Sequence, residues 1–255
     1  MMLLAMACRG GRGNVKVVVD PELANITKEN AFSQAEALYG AEKYQRSRKF
    51  YSYVYENYPN DPLGRRSLLR VADTYFKQGD VLNLVEAQYK YRDFLNRYPG
   101  SELADYAMLQ IARVSAAQME KPDRDQVKTH EAVEKYRDML AAYPTSKYRE
   151  EAEQGLASAL DRLAKHELIV AEFYMHRRNY QAAVARLNGI VDSYPDFNRR
   201  DLTFFHLATA LEKLGRTGEA NLYYERVIAE FPDSEWAARA KEKLGSSPTS
   251  TASSS

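Results

Sequence analysis

An aromatic residue followed by proline recurs five times along this chain of 255 residues, and it constrains the fold more than any other feature. Counting back twelve, eight and five residues from each proline gives a small residue, a large aromatic or leucine, and an apolar residue, as with Ala220, Tyr224 and Val227. Such positions share one face of an α-helix. The sequence therefore predicts five repeats, each closed by a helix that proline terminates. The dipeptides are Tyr58-Pro59, Tyr98-Pro99, Tyr143-Pro144, Tyr194-Pro195 and Phe231-Pro232.

The last repeat indicates the type of hairpin. Residues 201–234 place Ala208 in a first helix and Ala220 and Tyr224 in a second helix, which fits the tetratricopeptide pattern of two antiparallel helices. The two alanines allow the helix backbones to approach, and polar residues after each proline provide turn and cap atoms. We therefore predict an all-α fold, a tetratricopeptide-repeat solenoid of five helix pairs over residues 27–245.

The repeats are unequal in length. Thirteen residues beyond each of the first four prolines lies an alanine of the next first helix, the third being Ala157. From Ala157 to Pro195 the fourth repeat is the longest, with no Gly or Pro between Gly155 and Gly189. We predict an elongated fourth repeat in which both helices are longer and the break lies near residues 177–179. Repeat 3 has a charged turn instead, at residues 121–125.

The ends of the chain differ from its body. The single cysteine, Cys8, follows an apolar stretch and resembles the end of a bacterial lipoprotein signal peptide, where the cysteine becomes the acylated first residue. The usual leucine three residues earlier is absent, and so is a full signal, so we interpret the start as clipped or mis-assigned. We predict a signal remnant at 1–8, a flexible tether at 9–26 and a disordered Ser/Thr tail at 246–255. The alternative is an accidental start with an unremarkable thiol.

Composition and motifs argue against several function classes. A net charge of +1 is unlike a nucleic-acid binder, and a single cysteine excludes a Cys₄ zinc site. His166 precedes Glu167, but Val170 stands where a zinc motif needs a second histidine. No G-x-S-x-G elbow occurs. We expect no enzyme activity, no cofactor, no metal and no nucleic-acid partner.

Residues 161–174 and 179–187 carry a more specific signal. They resemble the long central helix pair of the BamD family, lipoproteins of the outer-membrane β-barrel assembly machine, and the resemblance extends over roughly residues 27–245. It implies a non-enzymatic periplasmic scaffold, lipid-anchored in the outer membrane through Cys8. It further implies docking on a BamA-type barrel subunit among other assembly-complex lipoproteins, and receipt of unfolded outer-membrane proteins.

Two sets of interaction residues follow from this resemblance and from the repeat register. Arg186 matches a family arginine at the docking surface, where its planar fork suits a carboxylate; a solvated helix-face arginine is the alternative. First helices line the concave groove in this fold class, and aromatic plus cationic side chains there suit an extended segment that ends in an aromatic residue and a carboxylate. A face partly covered by the next repeat is the other interpretation. The groove residues are Phe32, Tyr39, Arg66, Leu69, Phe76, Lys77, Tyr106 and Arg113.

Two other functions stay open at this point. A periplasmic tetratricopeptide adaptor of the Tol–Pal cell-division coordinator type shares the Tyr-Pro rhythm, but it normally carries an N-terminal coiled coil and no acylated cysteine. No sustained heptads precede residue 45 here. The second alternative is an enzyme that uses the repeats as a scaffold, which bound metal or cofactor would reveal.

Overall fold

The computed structural model describes residues 21–245, which contain eleven α-helices and no β-strand. Ten helices alternate as first and second helices of five repeats, and one more helix follows. The protein is an all-α tetratricopeptide-repeat solenoid, as predicted. Cys8 and most of the predicted terminal segments lie outside the described residues. The helices are α1 Lys28–Gly40, α2 Tyr44–Asn57, α3 Pro62–Gln78, α4 Val81–Arg97, α5 Ala104–Ala117, α6 Val127–Ala142, α7 Arg149–His176, α8 Tyr180–Ser193, α9 Arg200–Lys213, α10 Thr217–Glu230 and α11 Glu235–Gly245.

The described residues divide into two compact units, 21–74 and 75–245. In the first unit, α1 packs against α2, and most of α3 belongs to the same unit. In the second unit, every helix from α4 to α10 packs against the next helix along the chain. The first helices α5 and α7 also touch, as do α9 and α11. This order of contacts is the one that stacked helical hairpins produce.

The periodic stripe of the second helices forms the core. All fifteen positions that the proline count identifies are at most 4 % exposed. The small residue of each stripe, such as Ala220, is fully buried and leaves room for the facing helix backbone. Tyr224 and Val227 fill the space beside it. The predicted repeat register is therefore confirmed.

The aromatic–proline corner has the same geometry in all five repeats. The aromatic residue is the C-cap of the second helix, with φ between −130° and −136°. Its carbonyl accepts the backbone N–H three residues further on, at 3.0 or 3.1 Å. In four repeats the side chain of the residue at that point also accepts the backbone N–H two residues further on, as the Ser234 hydroxyl does from Trp236 at 3.1 Å. The corner thus ends one helix and starts another within a few residues.

The elongation of the fourth repeat lies entirely in α7, which has 28 residues, while α8 has 14, like α2 and α10. The prediction that both helices lengthen is wrong, although the break near residues 177–179 is confirmed. Arg178 adopts a left-handed φ of 59° in that turn, and the Asn179 side chain caps α8 by accepting the N–H of Ala182. Because α8 also ends at the Tyr194 corner, both of its ends are fixed and only α7 can take extra residues.

Ala157 does not play the part that the sequence predicts for it, because it is exposed. Fully buried Ala171 lies twelve residues before Ala183, the same interval that separates Ala208 from Ala220. Ala171 is thus the small residue that belongs opposite α8. The shift from 157 to 171 is 14 residues, close to four helical turns, so the inserted length moves the α8 contact along α7 without turning the helix to another face.

The two halves of α7 belong to different cores. Ala159 and Leu163 cluster with side chains of α5 and α6. Ala164 and Leu168 cluster with side chains of α8, α9, α10 and α11. Near its start, α7 approaches α6 so closely that a Cβ on Gly155 would overlap the ring of Tyr136. One continuous helix therefore connects both cores of the second unit.

The charged turn predicted in repeat 3 lies between α5 and α6 and is fastened to α7. The Gln126 side chain donates to the carbonyls of Lys121 and Arg124 at 2.8 and 3.0 Å. Arg162 of α7 donates to the carbonyl of Glu120 at 2.6 Å, and the Nδ1 of His166 lies 2.7 Å from the carbonyl oxygen of Pro122. His166, whose incomplete zinc motif already argued against metal binding, thus contacts this turn.

Candidate protein-interaction sites

Arg186 is exposed on α8, where it flanks the buried stripe of Ala183, Leu187 and Ile190. Its Nη1 donates to the Glu167 carboxylate of α7 at 2.9 Å, and the two side chains are 47 % and 26 % exposed. This hydrogen bond raises the pKa of Arg186. Because nearly half of the side chain stays exposed, guanidinium donors that do not bond to Glu167 remain open to solvent. The structure therefore presents Arg186 at the surface in a held orientation.

Four of the predicted groove residues lie in the first unit, and three of them make aromatic–cation contacts. The Arg66 guanidinium lies 5.4 Å from the ring centre of Phe32, and Phe32 packs edge-on against Tyr51 at 5.6 Å. Tyr39 is covered by a different arginine, Arg70, at 5.0 Å. The combination of aromatic and cationic side chains predicted on these helices is thus present on α1 and α3.

Leu69 is a predicted groove residue that the structure shows to be buried, so this prediction is wrong. It is 3 % exposed, so its side chain is part of the core and cannot contact a bound segment without rearrangement. Its neighbours Leu68 and Val71 are also buried, because the buried side of α3 is wider than one stripe. The sequence register alone does not show that width.

Sequence reasoning missed an ion-pair network beside Tyr39. Arg70 donates two hydrogen bonds to the Glu36 carboxylate at 2.8 and 2.7 Å and a third to Asp73 at 3.2 Å. The Tyr51 hydroxyl donates to Glu36 at 2.7 Å. Burial by itself lowers the pKa of Arg70, but the Glu36 hydrogen bonds and the Asp73 charge outweigh it and raise that pKa. Burial raises the pKa of Tyr39 to about 12. The network fixes the cation over the aromatic ring.

The other predicted groove residues lie in the second unit. The Arg113 guanidinium is 5.6 Å from the ring centre of Phe76 and donates to Glu151 at 2.8 Å. Tyr106 packs against Tyr148 with ring centres 5.5 Å apart. Lys77 is exposed. Each unit thus carries its own set of aromatic and cationic groove candidates.

The described residues contain no group of side chains arranged as a metal site. Among residues 21–245, no three His, Cys, Asp or Glu side chains gather as metal ligands would. His206 Nε2 lies 3.3 Å from the Glu172 carboxylate. Burial lowers the pKa of His206; Glu172 opposes this, while the charges of Arg199 and His176 add to it. In the same part of the chain, no helix combines the length and apolarity needed to cross a membrane.

These features define a class of protein: an all-α solenoid of tetratricopeptide-type helical repeats. A family profile described as "YfiO: Outer membrane lipoprotein" matches residues 24–225. The chain belongs to this family, which agrees with the resemblance found in the sequence and does not favour the Tol–Pal alternative.

Relatives of the chain carry one shared name. The outer membrane protein assembly factor BamD of Neisseria meningitidis serogroup A is 25 % identical over 198 residues, 74 % of this chain and 73 % of that protein. BamD of Rickettsia prowazekii is 21 % identical over 211 residues, 80 % of each chain. Among solved structures, the TPR2AB domain of yeast Sti1 in its pHSP90 complex has a TM-score of 0.46 and 15 % identity, covering 85 % of this chain and 84 % of that one.

Proposed function

We propose that this protein is a periplasmic scaffold of the machinery that assembles outer-membrane β-barrel proteins, anchored by a lipid on Cys8 and acting by binding alone. One observation carries the proposal: the family match begins before α1 and ends within α10, so it includes residues from every repeat. The name shared by the relatives, outer membrane protein assembly factor, supports the same activity for this chain. The proposal needs no cofactor and no chemical step.

Arg186 is the proposed contact with a BamA-type barrel subunit. Its pairing with Glu167 holds the guanidinium before a partner arrives, which reduces the entropy lost on binding. A carboxylate on the partner can then take two parallel hydrogen bonds from the guanidinium donors that face solvent. Other lipoproteins of the complex are expected to bind elsewhere on the scaffold.

The aromatic and cationic residues of the first three repeats are the proposed contact with unfolded outer-membrane proteins. Phe32, Tyr39 and Arg66 form this surface in the first unit, with Arg70 added by the structure. Phe76, Lys77, Tyr106 and Arg113 are the corresponding residues in the second unit. The aromatic rings pack against apolar or aromatic side chains of the client, and the cationic side chains bind its terminal carboxylate.

Charge reversal tests the docking role. Arg186→Glu should reduce co-purification of the barrel subunit at least tenfold, because removing one partner of an interface charge pair costs about 2–5 kcal/mol. The matched control is Arg216→Glu, which reverses another exposed arginine that pairs with a carboxylate, Glu219, at 2.6 Å. Both variants should keep the helical circular dichroism signal, since exposed ion pairs contribute only about 0–1 kcal/mol to stability.

A charge swap separates docking from the internal ion pair. Glu167→Gln keeps the cation but weakens the pair that orients it, so it should reduce co-purification much less than Arg186→Glu does. The double variant Arg186→Glu/Glu167→Arg restores an internal pair but moves the positive charge to α7, so it should still fail to co-purify. Full recovery by the double variant, or unchanged binding by Arg186→Glu, would show that Arg186 acts through folding or not at all.

A further inference from the structure

A cavity of about 550 Å³ opens between α7, α9 and α11 in the second unit. Leu168, Leu202 and Ile169 form its apolar wall; the first two are buried, while Ile169 is 41 % exposed. Phe173, four residues beyond Ile169 on the same side of α7, is 55 % exposed. We name this space the α7–α9 cavity. An apolar surface of this kind, open to solvent inside a concave site, is typical of ligand-binding positions.

Trp236 provides an aromatic wall that is held in place on several sides. Its ring centre lies 5.1 Å from that of Phe205 and 5.9 Å from that of His206. The guanidinium of Arg239 lies 4.5 Å from the indole centre. The Trp236 backbone N–H is capped by Ser234 at the start of α11. A fixed, partly exposed indole offers contact area at low entropic cost.

The charges at the cavity leave a cation available. Lys165 pairs with Asp161 at 2.7 Å, and Glu172 is the hydrogen-bond partner of His206. Arg199, at the start of α9, also lines the cavity and is exposed. Across residues 21–245, no carboxylate forms an ion pair with its guanidinium. The Arg199 side of the rim is therefore complementary to an anionic group beside an apolar one, while the Glu172 carboxylate keeps the opposite charge on its own side of the cavity.

The hydrogen-bonded side chains of His206 and Glu172 in the cavity wall favour a peptide over an acyl chain as the ligand. The His206 side chain is 19 % exposed and sits between Glu172 and Trp236. A hydrocarbon chain laid across it would cover these polar groups without replacing their hydrogen bonds to water, which is unfavourable. A polypeptide backbone brings N–H and C=O groups that can replace them. An extended peptide therefore fits the wall better than an acyl chain.

We propose that the α7–α9 cavity binds an extended segment of a partner protein in which a large aliphatic or aromatic side chain adjoins an acidic residue. The apolar side chain lies against Ile169 and Trp236, and the carboxylate bonds to Arg199. The site lies on repeats 4 and 5, apart from the groove candidates of repeats 1–3. The inference does not depend on the docking role of Arg186.

The chain contains one tryptophan, so the fluorescence of Trp236 reports directly on the cavity. The probe is the capped hexapeptide Gly-Ser-Leu-Asp-Gly-Ser, titrated into the full-length protein. We expect a saturable change in Trp236 emission. The same peptide with Asn in place of Asp should bind about tenfold more weakly, because a charge-assisted hydrogen bond contributes more than a neutral one. Replacing its Leu by Ser should also weaken binding.

Variants of the protein assign the two contacts. Arg199→Gln should abolish the preference for Asp over Asn in the peptide, and Ile169→Ser should weaken both peptides equally. Arg216→Gln, a change at the N-cap of α10, should alter neither. Absence of saturation, equal affinity for the Asp and Asn peptides, or a preference that survives Arg199→Gln would overturn the proposal. Dodecanoate that displaces the peptide at lower concentration would assign the cavity to lipid instead.

Discussion

Gly155→Ala tests how tightly the elongated helix α7 packs on α6. A Cβ at this position would lie 2.3 Å from Cζ of Tyr136 and 2.6 Å from its hydroxyl, whereas ordinary contacts begin at 3.4 Å. Tyr136 is 4 % exposed, so its ring must shift by about 1 Å inside a packed core. Overpacking of this kind costs about 1–3 kcal/mol, and the size of the overlap places it toward the upper value.

The same substitution also removes a glycine from a helix, which stabilises it by about 1 kcal/mol. We therefore expect Gly155→Ala to lower the free energy of unfolding by about 1–2 kcal/mol. Gly189→Ala on α8 is the matched control, because no atom lies within 4 Å of its added Cβ. That variant gains the helix propensity without the overlap and should be more stable than wild type by about 1 kcal/mol.

Urea unfolding followed by circular dichroism measures both changes, and the slope of the transition should stay constant. In a Tyr136→Leu background the obstructing ring is absent, so Gly155→Ala should become neutral or stabilising, as a double-mutant cycle would report. The reasoning fails if Gly155→Ala stabilises the protein as much as Gly189→Ala. It also fails if the penalty is unchanged when the tyrosine is removed.

Two further predictions concern α7 and the cavity. Ala171→Leu should destabilise the protein by about 1–3 kcal/mol through overpacking against α8, while Ala157→Leu should change stability by less than about 0.5 kcal/mol; equal effects in urea unfolding would contradict the assigned register. His206 has a lowered pKa in the folded state because of burial, so its contribution to stability is complete above its ordinary pKa of about 6.5 and is lost as the pH falls from that value through the lowered folded-state pKa. Melting temperatures between pH 7.5 and 5.5 should fall more for wild type than for His206→Gln, and parallel curves would count against this.

The repeat architecture could be predicted because local chemistry repeats with it. The five prolines fix where each second helix stops, and the spacing back to residues such as Ala220 and Tyr224 fixes which face is buried. Both are local signals, so tertiary context had little to override. The turn of repeat 3 was predictable for the same reason, since charged residues around Pro122 interrupt the apolar period.

The distribution of extra length in repeat 4 needed a signal at longer range. Counting forward from Pro144 reaches Ala157, which has the expected residue type but is exposed. Counting back twelve residues from Ala183 reaches Ala171, the interval that Ala208 and Ala220 also show. The count back from Ala183 uses the contact between the two helices of the repeat, which every repeat must make. It would have identified α7 as the helix that carries the insertion.

The sequence predicted which types of residue lie on the groove surface better than it predicted which residues contact each other. Phe32 and Arg66 were both expected on the groove surface, and they contact each other. The ion pair of Arg70 with Glu36 joins residues 34 positions apart, so it depends on how α3 meets α1 and leaves no local pattern. Leu69 was misassigned because apolar residues look alike in sequence whether the helix buries one stripe or two.

The length of α7 determines where both proposed binding sites of the fourth repeat lie. Its first half completes the core with α5 and α6, so its second half is free to pack against α8 and α9. On that second half, Lys165, Ile169 and Glu172 share the side that lines the cavity. Glu167, which holds Arg186, lies about 150° around the helix from that side. A first helix of ordinary length would end near residue 162 and would contain neither the residues that line the cavity nor Glu167. The insertion therefore creates the two opposed surfaces together, on one rigid element.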